Sequence, residues 1–262
     1  MKVTSRPPIA FSAGGVIGTL GGLIGLGGAE FRLPVLISVF GFKALDAVIV
    51  NKAVSLVVVA FALPFRASVV PFADVAAHWG IIANLLAGSL FGAWAGAGLA
   101  VRLSSGVLYR VIALLLGTIA VVLAFGHGAA PAEALLTGWP QLAAGVAAGF
   151  AIGIFASVLG VAGGELLIPT LILLFGMDVK LAGSLSLAIS LPTMLVGFAR
   201  YSRDRSFAVL GHNRGFLLAM GLGSIAGAFV GSRLLGIIPT GVLLPLLAGL
   251  LALSAIKVWR HG

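Results

Sequence analysis

The sequence predicts an all-α integral membrane protein of two inverted-topology repeats, each a glycine-broken helical hairpin followed by three transmembrane helices. Three observations carry this expectation. Hydrophobic residues make up 60% of the 262 residues and charged residues only 9%, with a mean hydropathy of +1.20; soluble proteins average about 45–50% apolar and about 25% charged. The chain resembles itself at a constant offset. Its basic residues also fall on one side of a consistent topology. With 16 basic and 7 acidic side chains, a soluble fold could not cover its own surface, so lipid must solvate most of it. At about 20 residues per crossing the length allows at most about ten spans, leaving no room for a large soluble domain.

The repeat aligns residues 135 positions apart. Gly18, Gly25, Gly28, Glu30, Pro34, Phe40 and Gly41 meet Gly153, Gly160, Gly163, Glu165, Pro169, Phe175 and Gly176. Further on, Ser55 meets Ser190, and Gly88, Ser89, Gly92 and Gly96 meet Gly223, Ser224, Gly227 and Gly231. Two tandem copies of one unit follow, 9–126 and 141–260, joined by a connector at 127–140.

In order along the chain, 9–41 is an apolar stretch too long for one crossing, interrupted by glycines, an acid and Pro34. Glycine relaxes a helix and proline removes a backbone donor, so two half-length helices joined by an irregular turn are expected. Spans follow at 46–65, 80–101 and 106–126. The second copy repeats this order, with a hairpin at 141–176 and spans at 182–199, 215–236 and 242–258. Lys2 and Arg6 ahead of an apolar run resemble the start of a signal peptide, but no small-residue cleavage site follows, so the run is read as a retained first segment.

Charge decides between a hairpin and a single broken span. If 9–41 enters and returns on one side, Lys2, Arg6, Lys43, Arg102, Arg110, Arg203, Arg205, Arg214, Lys257 and Arg260 all lie on the cytoplasmic face. The connector, free of Lys and Arg from 127 to 139, then lies outside. The positive-inside rule favours this arrangement. Both termini are then cytoplasmic and the second copy is inserted upside down relative to the first, an arrangement used by secondary transporters. The net charge of +9 is accounted for by that rule. No basic patch with interleaved aromatics points to nucleic acid.

Glu30 and Glu165 occupy equivalent places on the glycine turns. About 16 residues of helix, roughly 24 Å, places each deep in a core about 30 Å thick. A carboxyl there marks a proton or substrate pathway, or else is a structural acid bonded to its own turn. The turn glycines Gly25, Gly27 and Gly28, with Gly160, Gly163 and Gly164, expose backbone N–H groups suited to an anion. Asn51, Ser55, Ser186 and Ser190 stand where their side chains can add hydrogen bonds. Arg32, with Leu167 at the equivalent position, is expected to neutralise Glu30 or else to attract an anion. Lys52 is expected to snorkel to the interface or else to hydrogen-bond an oxyanion, and Arg66, Arg200 and Tyr201 to anchor span ends. The glycine ridges suit close helix packing, within the chain or in a homo-oligomer.

An enzyme has little to work with. The sequence has no Cys, its four His are scattered outside the spans, and there is no P-loop, zinc-protease helix or nucleophile elbow. No cofactor or metal is expected.

The pattern Gly22 to Pro34 (G-x-x-G-x-G-G-x-E-x-x-x-P), its looser echo from Gly160 to Pro169, the polar residues Asn51, Ser55, Ser184 and Ser186 and the G-x-x-x-G-A-x-x-G ridge resemble the sulfite exporter TauE/SafE family of bacterial membrane permeases. The resemblance covers about 10–260. It implies transport of sulfite, a sulfonate or a related organic anion across the plasma membrane. Lys52 departs from the family pattern, which mostly has a small polar or apolar residue there. The resulting expectation is a secondary permease for a small anion, working by alternating access with Glu30 and Glu165 coupling protons. A passive anion channel and a non-transporting membrane subunit are the alternatives.

Overall fold

The structure, a computed structural model, describes residues 7–24, 28–67, 70–125, 134–234, 249 and 252–260. Regular structure among these residues is helical throughout. The first copy runs through α1 (Pro7–Ile24), α2 (Ala29–Ser38), α3 (Ala44–Arg66), a short α4 (Phe72–Ala77), α5 (Trp79–Arg102) and α6 (Ser105–Phe125). The second runs through α7 (Trp139–Leu159), α8 (Gly164–Phe175), α9 (Val179–Tyr201), a 3₁₀ turn at Arg205–Phe207, α10 (Ala208–His212) and α11 (Arg214–Leu234). Residues 252–259 are also helical. Most of the span expected at 242–258, the first half of the connector, Lys2, Arg6, Gly25 and Gly27 lie outside the described residues.

Among the described residues, five helical segments are long and apolar enough to cross a membrane: Ala44–Ala62, Trp79–Arg102, Trp139–Leu159, Lys180–Tyr201 and Arg214–Gly231. Their outward faces carry large apolar side chains such as Phe91 and Trp139, 74% and 83% exposed, as a surface solvated by acyl chains requires.

The legs of each hairpin are unequal rather than half-length. α1 has 18 residues and α2 has 10; α7 has 21 and α8 has 12. The break falls where glycines take left-handed backbone, at Gly28 (φ 69°), Gly160 (φ 67°) and Gly163 (φ 83°), conformations that cost other residues roughly 1–2 kcal/mol. The prolines do not end a helix. Pro34 and Pro169 lie inside α2 and α8, four residues after Glu30 and Glu165. Lacking an N–H, each leaves the carbonyl of its glutamate without the usual helical donor.

The copies pack reciprocally. α1 lies along α11, and its repeat counterpart α7 lies along α5, the counterpart of α11. The first helix of each copy therefore rides on the glycine-ridged helix of the other. Glycines let the backbones touch: a Cβ on Gly14, Gly18 or Gly22 would collide with the carbonyls of Met220, Ser224 and Ala228, and one on Gly88, Gly92 or Gly96 with those of Val146, Phe150 and Ile154. Small residues every fourth position are how apolar helices approach closely in lipid, where the hydrophobic effect between them is absent. These ridges pack within the chain.

α3 and α9 pack against each other between these outer pairs. Asp178 caps α9, accepting from the backbone N–H groups of Lys180 and Leu181 at 2.9 and 3.2 Å, whereas the equivalent Lys43 gives α3 no side-chain cap. On the copy-one side Phe216 of α11 packs against Phe40 and Phe42, with ring centroids 4.8 and 5.3 Å apart. This contact holds the far end of α2 against the second copy.

Candidate functional site

The polar side chains buried in this fold gather around the two hairpin turns. Glu30 and Glu165 are the second residues of α2 and α8 and are 0% and 3% exposed. Their carboxyl groups meet within hydrogen-bonding reach of each other. Neither oxygen of Glu30, nor Oε1 of Glu165, receives a hydrogen bond from another residue's donor group. Two carboxylates in contact repel, while a proton between them turns the contact into a hydrogen bond. The contact is therefore favourable only when the pair holds a proton.

Neither oxygen of Glu30 accepts a hydrogen bond from Arg32. Residues two apart on a helix point to different faces, and the guanidinium turns toward α3 and α11. Its Nη1 donates to Ser55 Oγ at 2.9 Å and Asn51 Oδ1 at 3.3 Å, and its Nη2 to Ser224 Oγ at 3.2 Å. An arginine buried at 0% exposure is costly in the absence of such donors' partners, and three side chains from two helices answer it.

Asn51 ties the two turns together. Its Nδ2 donates to Ala29 O, at the start of α2, at 2.9 Å and to Leu159 O, at the end of α7, at 3.3 Å. Ser190 donates to Ala162 O in the second turn at 2.8 Å. Ser186 does not join the cluster: its hydroxyl bonds Gly183 O in its own helix, a common outcome for serines in membrane helices. Gly28 closes against Ile17 O and Gly160 against Val48 O, with no room for a Cβ at either. Gly163 precedes α8 as its N-cap and Gly164 is its first residue.

Lys52 does not snorkel. It is fully buried, and its Nζ donates to Ser157 Oγ at 3.2 Å. Nor does Tyr201 sit at an interface: it too is fully buried, donating to Ser157 O at 2.8 Å. Arg66 reaches back to Ser184 Oγ at 3.3 Å and Lys180 O at 3.2 Å. Arg200 does end at a surface, over the Trp94 ring at 5.4 Å.

The family model for the sulfite exporter TauE/SafE matches residues 10–258. The chain belongs to the TauE/SafE family. Members are membrane permeases, transporters rather than enzymes, so a small anionic substrate and a lipid environment follow. No curated protein and no solved structure matches the chain.

In this TauE/SafE chain the residues that sequence reasoning passed over are Ser157, Ser224 and the true surroundings of Lys52 and Arg32. Ser224 was visible as the repeat partner of Ser89. Ser157 was not, because Gly22 stands at its equivalent position.

Proposed function

We propose that this TauE/SafE protein is a secondary permease for a small oxyanion, sulfite or an organosulfonate or related organic anion, coupled to protons carried by Glu30 and Glu165. Alternating access by two oppositely oriented copies in a bacterial inner membrane, with both termini cytoplasmic, supplies the cycle. The observation that carries this reading is the contact of the two glutamates beside the buried guanidinium of Arg32.

The coupling is one of charge. With the glutamates ionised, their negative charge offsets the buried cations. When they take up protons, the cations are left unbalanced in a medium where uncompensated charge is expensive. An anion restores the balance. Anion and proton therefore bind together and leave together. The anion rests among the amides of the glycine turns at Gly28, Gly163 and Gly164, at the N-termini of α2 and α8, where helix dipoles favour negative charge. Asn51, Ser55 and Ser190 hold the turns and lend hydroxyl and amide donors. Ser186, committed to its own helix, is left out of the set.

Uptake of radiolabelled sulfite into proteoliposomes tests the reading. The expected result is accumulation driven by an imposed pH gradient, and exchange between labelled and unlabelled anion. Flux at channel rates without exchange would replace the permease reading with a passive pore.

A further inference from the structure

We propose that the ends of α5 and α9 form a binding site for an anionic phospholipid, its phosphate held by Arg200 and Arg203 and an acyl chain lying in the groove between α5 and α7. The site is on the outer surface of the helices and stands independently of the permease reading.

Trp94 lies on the outward face of α5, about 12 Å short of the helix end at Arg102, and is 40% exposed. Tryptophan near the end of a span marks a membrane interface. Two arginines from the end of α9 converge on it. The guanidinium carbon of Arg203 is 4.9 Å from the ring centroid and that of Arg200 is 5.4 Å, both within cation–π range. Arg200 also lies across Gly98, one turn further along α5, where a Cβ would touch its Nε at 3.5 Å and its Nη2 at 3.6 Å. The second copy is built differently at this place. Phe229 stands at the position of Trp94 and Arg233 at that of Gly98, and this arginine covers the aromatic ring of its own helix at 5.1 Å. The first copy instead leaves position 98 without a side chain and draws two cations from another helix.

Like charges gathered on one ring call for an anion. Among the described residues no carboxylate pairs with either guanidinium, and no acceptor takes up their side-chain N–H groups. The adjacent acid, Asp204, accepts instead from the backbone N–H of Ser206 at 2.8 Å. A guanidinium has five donors and meets phosphate oxygens in pairs. Charge counting makes this the cytoplasmic face, whose leaflet carries anionic lipid.

The apolar surface beside the cations selects a lipid over a free anion. Ala87, Phe91, Trp94 and Gly98 recur at helical spacing and share the outward face of α5. Toward the bilayer centre from Trp94 this face borders a groove, walled by Ala87, Gly88 and Phe91 on α5 and by Val146, Ala147 and Phe150 on α7. From Gly98 to Ala87 is about 16 Å along the helix, within the length of an acyl chain. A phosphate on the arginines therefore leaves its chain running toward the groove.

The test counts lipid bound to the full-length, detergent-purified protein by native mass spectrometry, in titrations with phosphatidylglycerol and phosphatidylcholine of identical chains. Wild type is expected to bind the anionic lipid roughly tenfold more tightly. Arg200→Gln with Arg203→Gln should erase that preference and leave phosphatidylcholine within about twofold; Arg203→Gln alone, at an exposed residue, should lower it about threefold and serves if the double variant fails to fold. Arg205→Gln with Arg214→Gln removes the same charge at exposed positions off the Trp94 ring and should leave the preference intact. An equal loss in that control, or a wild type without preference, would overturn the site. Ala147→Phe fills the groove and should weaken both lipids about threefold; unchanged binding would overturn the placement of the chain. Displacement of phosphatidylglycerol by excess sodium phosphate at constant ionic strength would make this a site for free anions and overturn the lipid.

Discussion

Glu30 and Glu165, 135 residues apart in sequence, bring their carboxyl groups together in the interior with no other residue's donor on either oxygen of Glu30. Acids buried at such depth are costly, and the proton-coupled function proposed above gives the pair a role. The repeat offset supplies one acid from each hairpin turn, so the pair joins the two turns.

Replacing both acids separates coupling from binding. Glu30→Gln with Glu165→Gln is expected to abolish accumulation driven by a pH gradient, yet to keep exchange of labelled for unlabelled anion at equal pH. Parallel proteoliposome assays read the two activities. Full pH-driven accumulation in the double variant would remove the proton role.

Asn51→Ala should cost about 1–3 kcal/mol, because it strips the donor from two buried carbonyls at once, those of Ala29 and Leu159. Thermal unfolding in detergent reads the stability change, and transport should fall as well, since both hairpin turns lose their tie. A melting temperature equal to wild type would show that the turns are held by other contacts.

The glycine ridges make a paired prediction. Gly92→Leu drives a side chain into Phe150 O, and overpacking of this kind costs about 1–3 kcal/mol or prevents folding. Gly117→Ala, in α6, meets nothing within 4 Å and is expected to stabilise by up to about 1 kcal/mol, as alanine does in a helix interior. Unfolding midpoints of the two variants should therefore move in opposite directions.

Gly163→Ala probes the turn itself. The space beside Gly163 is tight but bounded by side chains, so the cost comes mainly from its φ of 83° and is about 1–2 kcal/mol. Gly160→Ala adds a collision with Val48 O to the same strain. Its melting temperature is expected to lie below that of Gly163→Ala.

Opposite orientation of the copies is open to a direct experiment, because the chain has no cysteine. Single cysteines replacing Lys43 and Lys180, each at the start of a third helix, should react with a membrane-impermeant maleimide from opposite faces of oriented vesicles. Labelling from the same face would make the copies parallel.

Much of this architecture is legible in the residues. Apolar runs of spanning length announce helices in lipid, and the offset of 135 marks equivalent places in two copies. The glycine, acid and proline of each turn stand out because packing alone has no need of an acid there. Less legible is how a hairpin divides. Proline looks like the breaker, but Pro34 and Pro169 lie in the second turns of α2 and α8, each at the loss of one backbone hydrogen bond, and the left-handed glycines make the break. Lys52 misled because a lysine six residues into a span has an easy escape along its own stem; nothing local shows that Gly197, on a distant helix, keeps a place for it indoors.

Sequence was sufficient for the class of molecule and for the equivalence of Glu30 and Glu165 at an offset of 135, since hydrophobic length and internal repetition are properties of a single strand of residues. Only the folded chain decides where the two copies differ. Arg32 finds Ser224, and Lys52 finds Ser157, across 192 and 105 positions, and neither link has an echo in the other copy. A repeat reports what its copies share; the energy of a buried charge depends on neighbours that distant helices bring to it, and those exist only after packing.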